Sequence, residues 1–266
     1  MTPVEVVRGD GPVVLGLPHT GTHVPEAIRA RLTPRGRTLS DTDWHVHRLY
    51  DGLLPGATTV RATFHRYVID ANRPPSGESL YPGQNTTGLI PLTDFDGHPL
   101  WETEPAPEDI GSRRRDYHDV YHAALAAELE RVRAKHGIAI LYDCHSIRSE
   151  IPFLFEGRLP DFNIGTNSGR SCAPEIAEAT ARICSEAEGY TSVLDGRFKG
   201  GWTTRHYGRP AEGLHAIQME LAQDTHLMSE SLPFDYDPAG AAQLRPHLAA
   251  ILHALEDYAF TQGATR

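Results

Sequence analysis

Cysteine is scarce in this chain: Cys144, Cys172 and Cys184 are the only three, an odd number with no C-x-x-C spacing. That excludes a disulfide framework and a thiolate zinc site, and it leaves any metal to histidines and carboxylates. Long apolar runs are missing as well, none reaching the roughly 18 residues a membrane span needs. The first ten residues show no basic segment followed by an apolar run, so no secretory leader is expected and a cytoplasmic protein is. Cations are in deficit: 25 Lys and Arg stand against 35 Asp and Glu, a formal charge of −10 with the 15 histidines neutral. Nucleic-acid phosphates are bound by clustered cations, so that class of partner is disfavoured. Repeats, low-complexity tracts and Ser/Gly linkers are absent, and residues 1–266 read as a single domain.

What the chain does contain is ordinary globular usage, 39% hydrophobic and 23% charged residues, enough to bury a sizeable core. Short apolar, β-branched runs at residues 12–17, 58–63, 66–70, 138–142, 191–194 and 214–220 predict strands. Between them, apolar residues recur at helical spacing: Val46, Leu49, Tyr50 and Leu53; Tyr117 to Val132; Ile176 to Ala187; Leu244 to Leu255. Strands alternating with helices predict an α/β fold whose largely parallel sheet is covered on both faces. Residues 74–107 break this pattern, being rich in Pro, Gly, Thr and Asp, and a loop of that length reads as functional.

Open α/β sheets bind ligands beyond the carboxyl ends of their strands, so the polar residues that follow each strand matter most. The first strand runs into Pro-His19-Thr-Gly, the fourth into Asp143-Cys144-His145-Ser146, and the last ends at Glu220. Two histidines and a carboxylate match the nitrogen and oxygen ligands of a catalytic zinc, with a further carboxylate left to act on water. An H-x-x-E arrangement fails because Thr22 stands three residues after His19, so the acid must come from Glu26, Asp41 or Asp43. Asp41 and Asp43 also suit the cap of the helix that follows. Arg66 and Arg73 flank Asp70 and Asn72, a grouping fit to hold an anion or polarise a carbonyl, though taken alone it reads rather as two arginines of an ordinary surface loop. His23, His45, His47 and His65 read as solvated or supporting residues, and Asp70 and Asp143 as groups that orient others. Cys144 reads as a buried neutral thiol and Arg113 to Arg115 as a solvated helix face.

Eight blocks, PHTGTHVP, DTDWHVHRLYD, RYVIDANRPP, LYPGQNTTGLIP, DCHSIRS, FEGRLPDFNIGT, GRFKGGWTTRHYG and HAIQMELAQDT, together span most of the chain. In their joint occurrence the sequence resembles the N-formylglutamate amidohydrolase (N-formylglutamate deformylase) family, related to the zinc carboxypeptidases and aspartoacylases. The resemblance implies a phosphorylase/hydrolase-like three-layer α/β/α fold with a mixed, mostly parallel sheet. It implies hydrolysis of N-formyl-L-glutamate to formate and L-glutamate at the end of one route of histidine breakdown. Carried over to this chain, it implies His19, Asp43 and His145 as ligands of Zn²⁺ or another divalent transition metal, and Glu220 as general base. Arg66 is implied as carbonyl polariser, and Asn72 with Arg73 as holding a substrate carboxylate. Glutamate's second carboxylate calls for another cation, with Arg148 and Arg205 the candidates inside matched blocks; Lys199 and His206 share the glycine-rich one. The expected partner is therefore a small anionic amino-acid derivative. A deacylase of another N-acyl amino acid, or a binding protein that has lost turnover, are the alternatives.

Overall fold

The computed structural model describes residues 2–80, 83 and 85–263. Three strands form its centre because their residues can be buried on both faces: β2 (Val13–Leu17) in the first half of the chain, and β4 (Ala139–Ile147) and β7 (Leu214–Ala222), whose nine residues each are buried throughout. Around them stand β1 (Val4–Val7), β3 (Thr58–Ala62), β5 (Phe162–Gly165) and β6 (Ser192–Leu194). The sheet order is β1-β3-β2-β4-β7-β5-β6, with β1 antiparallel to β3, β5 antiparallel to β7, and the other pairs parallel. Short helices α1 (Glu26–Arg29) and α2 (Val46–Tyr50) follow β2; α3 (Pro107–Arg113) leads through a π turn into α4 (Asp119–His136). Then come α5 (Pro174–Ser185), α6 (Trp202–Tyr207) and α7 (Pro238–Gly263).

Side chains alternate across the sheet, and this sorts the core into two layers. Val13, Leu15, Ile140, Tyr142, Cys144 and Met219 pack on α2, α5 and α7, while Val14, Val60, Leu141 and Ala216 pack on Tyr121, Leu125 and Leu129 of α4. The result is the α/β/α sandwich expected. The same alternation sends Asp143 and His145 of β4, with Gln218 and Glu220 of β7, to the α4 side at the C-terminal ends of these strands. No helix among the described residues is long and apolar enough to cross a membrane.

Several expectations need correction. Residues 66–70 form turns, not a strand, because their backbone bonds go to the long loop and to α3: Asp70 N donates to Leu89 O (2.7 Å) and Val68 O accepts from Arg113 (3.1 Å). Arg113 is thus buried, its guanidinium 5.2 Å over the Trp101 ring, rather than part of a solvated face. Strands β1 and β5, four residues each, went unread: β1 is a largely exposed edge and β5 follows a proline and an aspartate. Neither Asp41 nor Asp43 caps α2, whose N-cap is His45 in a left-handed conformation (φ 61°). Asp41 instead accepts from Phe95 N at 3.1 Å, tying the long loop to the sheet edge. Within that loop Leu89, Ile90, Leu100 and Trp101 are buried, so it is a packed wall; Tyr81, Pro82 and Gln84 of its LYPGQNTTGLIP block lie outside the described residues.

Candidate active site

Each of the four groups at the centre arrives from a different element. His19 follows β2 in a tight passage where Gly21 is required: a Cβ there would lie 2.4 Å from Phe64 O. Asp43 is fixed by its own backbone, which donates to His19 O at 3.1 Å. His145 and Glu220 are register partners on neighbouring strands. His19 Nδ1, an Asp43 oxygen and His145 Nδ1 come together, with Asp43 Oδ2 3.7 Å from the first and 3.0 Å from the second. These three side chains are buried, and their donor atoms lie within 4.8 Å of one another. A tetrahedral zinc with bonds of roughly 2.0–2.2 Å needs donors about 3.4 Å apart, which the two measured separations bracket.

The surroundings agree with a metal-ligating set. His19 Nε2 lies 2.7 Å from Asp70 Oδ1, and Arg66 Nη2 contacts His19 Nδ1. Because the Asp70 carboxylate only accepts, Nε2 is the N–H and Nδ1 the lone-pair nitrogen, which is the tautomer that ligation through Nδ1 requires. His145 Nε2 lies 3.2 Å from Asp143 Oδ1 and 3.1 Å from Asn72 Nδ2. A carboxylate behind each ring is the usual support of a metal-bound histidine. Burial alone would raise Asp43, but His19, His145 and Arg66 outweigh it and hold the carboxyl below its usual range. Glu220 goes the other way. Burial pushes it up to about 8, with Asp43 and Asp143 acting in the same sense and His145 and Arg66 against it, so this acid titrates nearer neutrality than an ordinary carboxyl. Gln218 Nε2 donates to Glu220 Oε2 at 3.3 Å, and Gln218 Oε1 accepts from Gly201 N at 2.7 Å.

A cavity of about 640 Å³ of empty space, part of it open to solvent, has His19, Arg66, Asn72, Arg73, His145 and Glu220 on its walls. Of the expected second arginines, the structure brings neither to this cavity. Arg148 pairs with Asp96 (2.9 Å) in a different groove, and Arg205 donates to Gly200 O (2.9 Å) in a third, where Lys199 also lies. His206 stacks on Trp202, and Glu26 is exposed on α1. Asn72 stands on the cavity wall, where its Oδ1 accepts from Thr203 N at the start of α6 (2.9 Å) while Nδ2 faces His145, so the amide also positions these groups. Arg73 lines the cavity with three N–H donors engaged, on Thr87 O, Thr87 Oγ1 and Asn72 O. His65 is fully buried, whereas His23, His45 and His47 line a separate groove. Cys144 is buried on the opposite face, and burial, aided by Asp143 and Asp43, raises its thiol well above the ordinary value. The sequence reading missed Arg197, Phe95 and Thr87 as cavity walls. Arg197 stood inside a quoted glycine-rich block, but nothing in composition separates it from its arginine neighbours.

A buried His–Asp–His set beside a glutamic acid of raised pKa, at the strand ends of an α/β sheet, has the layout of a hydrolase site. Comparison with known proteins narrows the class. The family model for N-formylglutamate amidohydrolase matches residues 11–227, and the chain belongs to that family. It is 48% identical over 252 residues to the N-formylglutamate deformylase of Pseudomonas aeruginosa, covering 93% of this chain and 94% of that protein. The N-formylglutamate deformylase of Pseudomonas putida is 47% identical over 253 residues, 93% of each chain. The crystal structure of N-formylglutamate amidohydrolase from Ralstonia eutropha JMP134 superposes with a TM-score of 0.81 at 25% identity, covering 97% of this chain and 98% of the other.

Proposed function

We propose that this chain hydrolyses the formamide bond of N-formyl-L-glutamate to formate and L-glutamate with a zinc ion, or another divalent transition metal, held by His19, Asp43 and His145. The same reading assigns it to the end of a histidine-degradation route in the cytoplasm. The observation that carries the proposal is the convergence of those three donors with Glu220 on one cavity, in a chain of this family. When bound, the metal supplies Lewis acidity, lowering the pKa of water toward about 7 and polarising the formyl oxygen.

The chain's own residues do the rest. Glu220, ionised, takes a proton from the attacking water, then returns it to the leaving amine of glutamate. Its raised pKa suits both halves of that shuttle, since a group that titrates near neutrality accepts and releases protons at similar cost. Arg66 faces the formyl oxygen as its negative charge develops; such a donor contributes roughly 3 kcal/mol to the barrier. Its Nε has no hydrogen-bond partner among the described residues and is buried. Arg73, clamped by Thr87, takes the α-carboxylate with its remaining N–H groups. Asp70, Asp143 and Asn72 keep the two imidazoles oriented.

The test is formate release from N-formylglutamate by protein stripped with a chelator and then restored with zinc. Activity that disappears and returns supports the reading, with His19→Ala and His145→Ala expected to carry little metal. Full turnover by the metal-free protein would overturn the metal's part. Preference for N-acetylglutamate would replace the formyl reading by the broader deacylase.

A further inference from the structure

The turns that carry Asp70, Asn72 and Arg73 lie outside the sheet, so their buried carbonyls need donors from elsewhere. Three side chains of the helical stretch that runs from α3 into α4 supply them. Arg113 Nη1 donates to Val68 O at 3.1 Å, His118 Nε2 to Arg73 O at 3.0 Å and His122 Nε2 to Ala71 O at 2.8 Å. The π turn Arg114–His118, whose bonds close over five residues, brings Arg113 and His118 to one side of that stretch. The regular helix that follows adds His122, four residues on, to the same side.

Both histidines are buried. A carbonyl only accepts, so Nε2 carries the proton on each ring. The rings lie 4.4 Å apart and both meet the Trp202 ring, His118 at 5.5 Å and His122 at 4.5 Å between centroids. Trp202 opens α6, where Thr203 N donates to Asn72 Oδ1 at 2.9 Å. The pair thus backs residues 71–73 through two carbonyls and also backs the helix end against which Asn72 is held. Neither histidine is among the described residues that line the cavity, so an effect on the reaction has to pass through residues 71–73. The nearest of these to substrate is Arg73. Thr87 fixes its guanidinium and His118 its backbone, and an arginine held at both ends presents its free N–H groups in one geometry.

We infer that His118, with His122 beside it, is a positioning residue for substrate binding: its bond to the Arg73 carbonyl sets the guanidinium for the carboxylate of an N-formyl amino acid. This rests on the hydrolysis, and on the part of Arg73 in it, proposed above. A ring that served only as packing would act through its shape, whereas a positioning donor acts through Nε2. His118 Nδ1 makes no hydrogen bond among the described residues, Asp119 Oδ1 being 3.6 Å away. Phenylalanine therefore removes the one bond to Arg73 and keeps a ring against Trp202. Glutamine does the reverse, since its amide nitrogen stands as many bonds from Cβ as Nε2 does.

The experiment compares zinc-loaded wild type, His118→Phe and His118→Gln on N-formylglutamate by steady-state kinetics, with melting temperature and metal content measured on each. His118→Phe should raise KM at least about 10-fold while kcat stays within about 5-fold of wild type. His118→Gln should return KM to within about 3-fold of wild type. Adding His118→Phe to Arg73→Lys should raise KM no more than about 3-fold further, because both changes act on one contact. Should His118→Phe fail to fold, His118→Asn takes its place, its amide being one bond too short to reach the carbonyl. Wild-type KM in the variant without the bond, an equal loss in His118→Gln, a loss confined to kcat, or full multiplication of the two effects in the double variant would each overturn the inference. So would failure of all three substitutions at position 118 to fold, which would make the residue structural only. A wild type that does not cleave N-formylglutamate overturns the proposed activity, and the inference with it; a wild type that does, matched by His118→Phe, overturns the inference alone.

Discussion

His145 and Glu220 face each other across the parallel ladder of β4 and β7, in register, so the ligand and the acid are held by the same pair of buried strands. Their relative position then depends on the sheet rather than on a loop, and either side chain can be changed without moving the other's backbone. Glu220→Gln should therefore keep its metal and its substrate affinity while kcat falls by at least about 10²-fold. Metal analysis and single-turnover kinetics of that variant check this; wild-type turnover would require another base.

His19 depends on Asp70 for its tautomer. Asp70 Oδ1 accepts from His19 Nε2 at 2.7 Å and also from Asn72 N at 2.8 Å. An amide at position 70 is a weaker acceptor and carries no charge, so Asp70→Asn should weaken metal binding by about 10- to 100-fold. Competition against a chromophoric chelator measures it, and an affinity equal to wild type would remove Asp70 from the support of the site.

Much of this fold was legible because its central strands are apolar, and the least legible parts are those that function bends. The apolar run at 138–142 stops where Asp143 begins, yet β4 continues to Ile147. A strand tolerates Asp143 and His145 in its buried interior only because each has a polar partner there, and those partners come from elsewhere in the chain. Residues 66–70 show the reverse error: a β-branched pattern suggested a strand, but inward-facing Arg66 and Asp70 take the segment into turns. His19, His145 and Glu220 were visible as strand-end residues. Which arginine accompanies them was not, since Arg148 just past β4, Arg197 before α6 and Arg205 within α6 differ only in where the fold places them.

Gly201 is held to its identity by Asn72. A Cβ at position 201 would lie 2.3 Å from Asn72 Nδ2, and that amide contacts both His145 and Thr203. Gly201→Ala must push the amide away and disturb His145, so kcat/KM should fall at least about 10-fold with a lower melting temperature. Gly88→Ala is the control, the nearest atom to its added Cβ being 3.8 Å away. Equal behaviour of the two variants would show that Asn72 can yield freely.

Acid should destabilise the protein through histidines outside the site. His226 is fully buried, with Nε2 3.1 Å from Trp44 O, and burial lowers its pKa from 6.5 to about 4. The native state keeps this ring neutral while the unfolded chain protonates it, so its contribution is complete above pH 6.5 and is lost as pH falls toward 4. Between pH 7 and 5 the loss is about 2 kcal/mol. Buried His122, lowered to about 3 chiefly by burial, acts in the same sense. Denaturant titrations at the two pH values should show a smaller drop for His226→Gln than for wild type, and parallel drops would place the acid sensitivity elsewhere.

Arg66 and Arg73 share Asp70 but should fail differently when changed. Arg66 is buried under Phe95, its guanidinium 5.0 Å from the ring centre, and it touches His19 on the nitrogen that faces Asp43. Burial works against its charge, yet Asp70, Asp43 and Asp41 outweigh that and keep it cationic. A cation at this place meets the substrate oxygen most strongly once that oxygen is negative, so Arg66→Ala should lower kcat by about 10²- to 10³-fold with little change in KM. Arg73 donates to Thr87 from two different nitrogens, a geometry that an ammonium cannot copy. Arg73→Lys should accordingly raise KM for N-formylglutamate while kcat stays within about 5-fold of wild type. Steady-state kinetics on the two variants decide the matter. Should Arg66→Ala act on KM and Arg73→Lys on kcat, the two arginines would have to exchange roles, and the substrate would lie the other way round in the cavity.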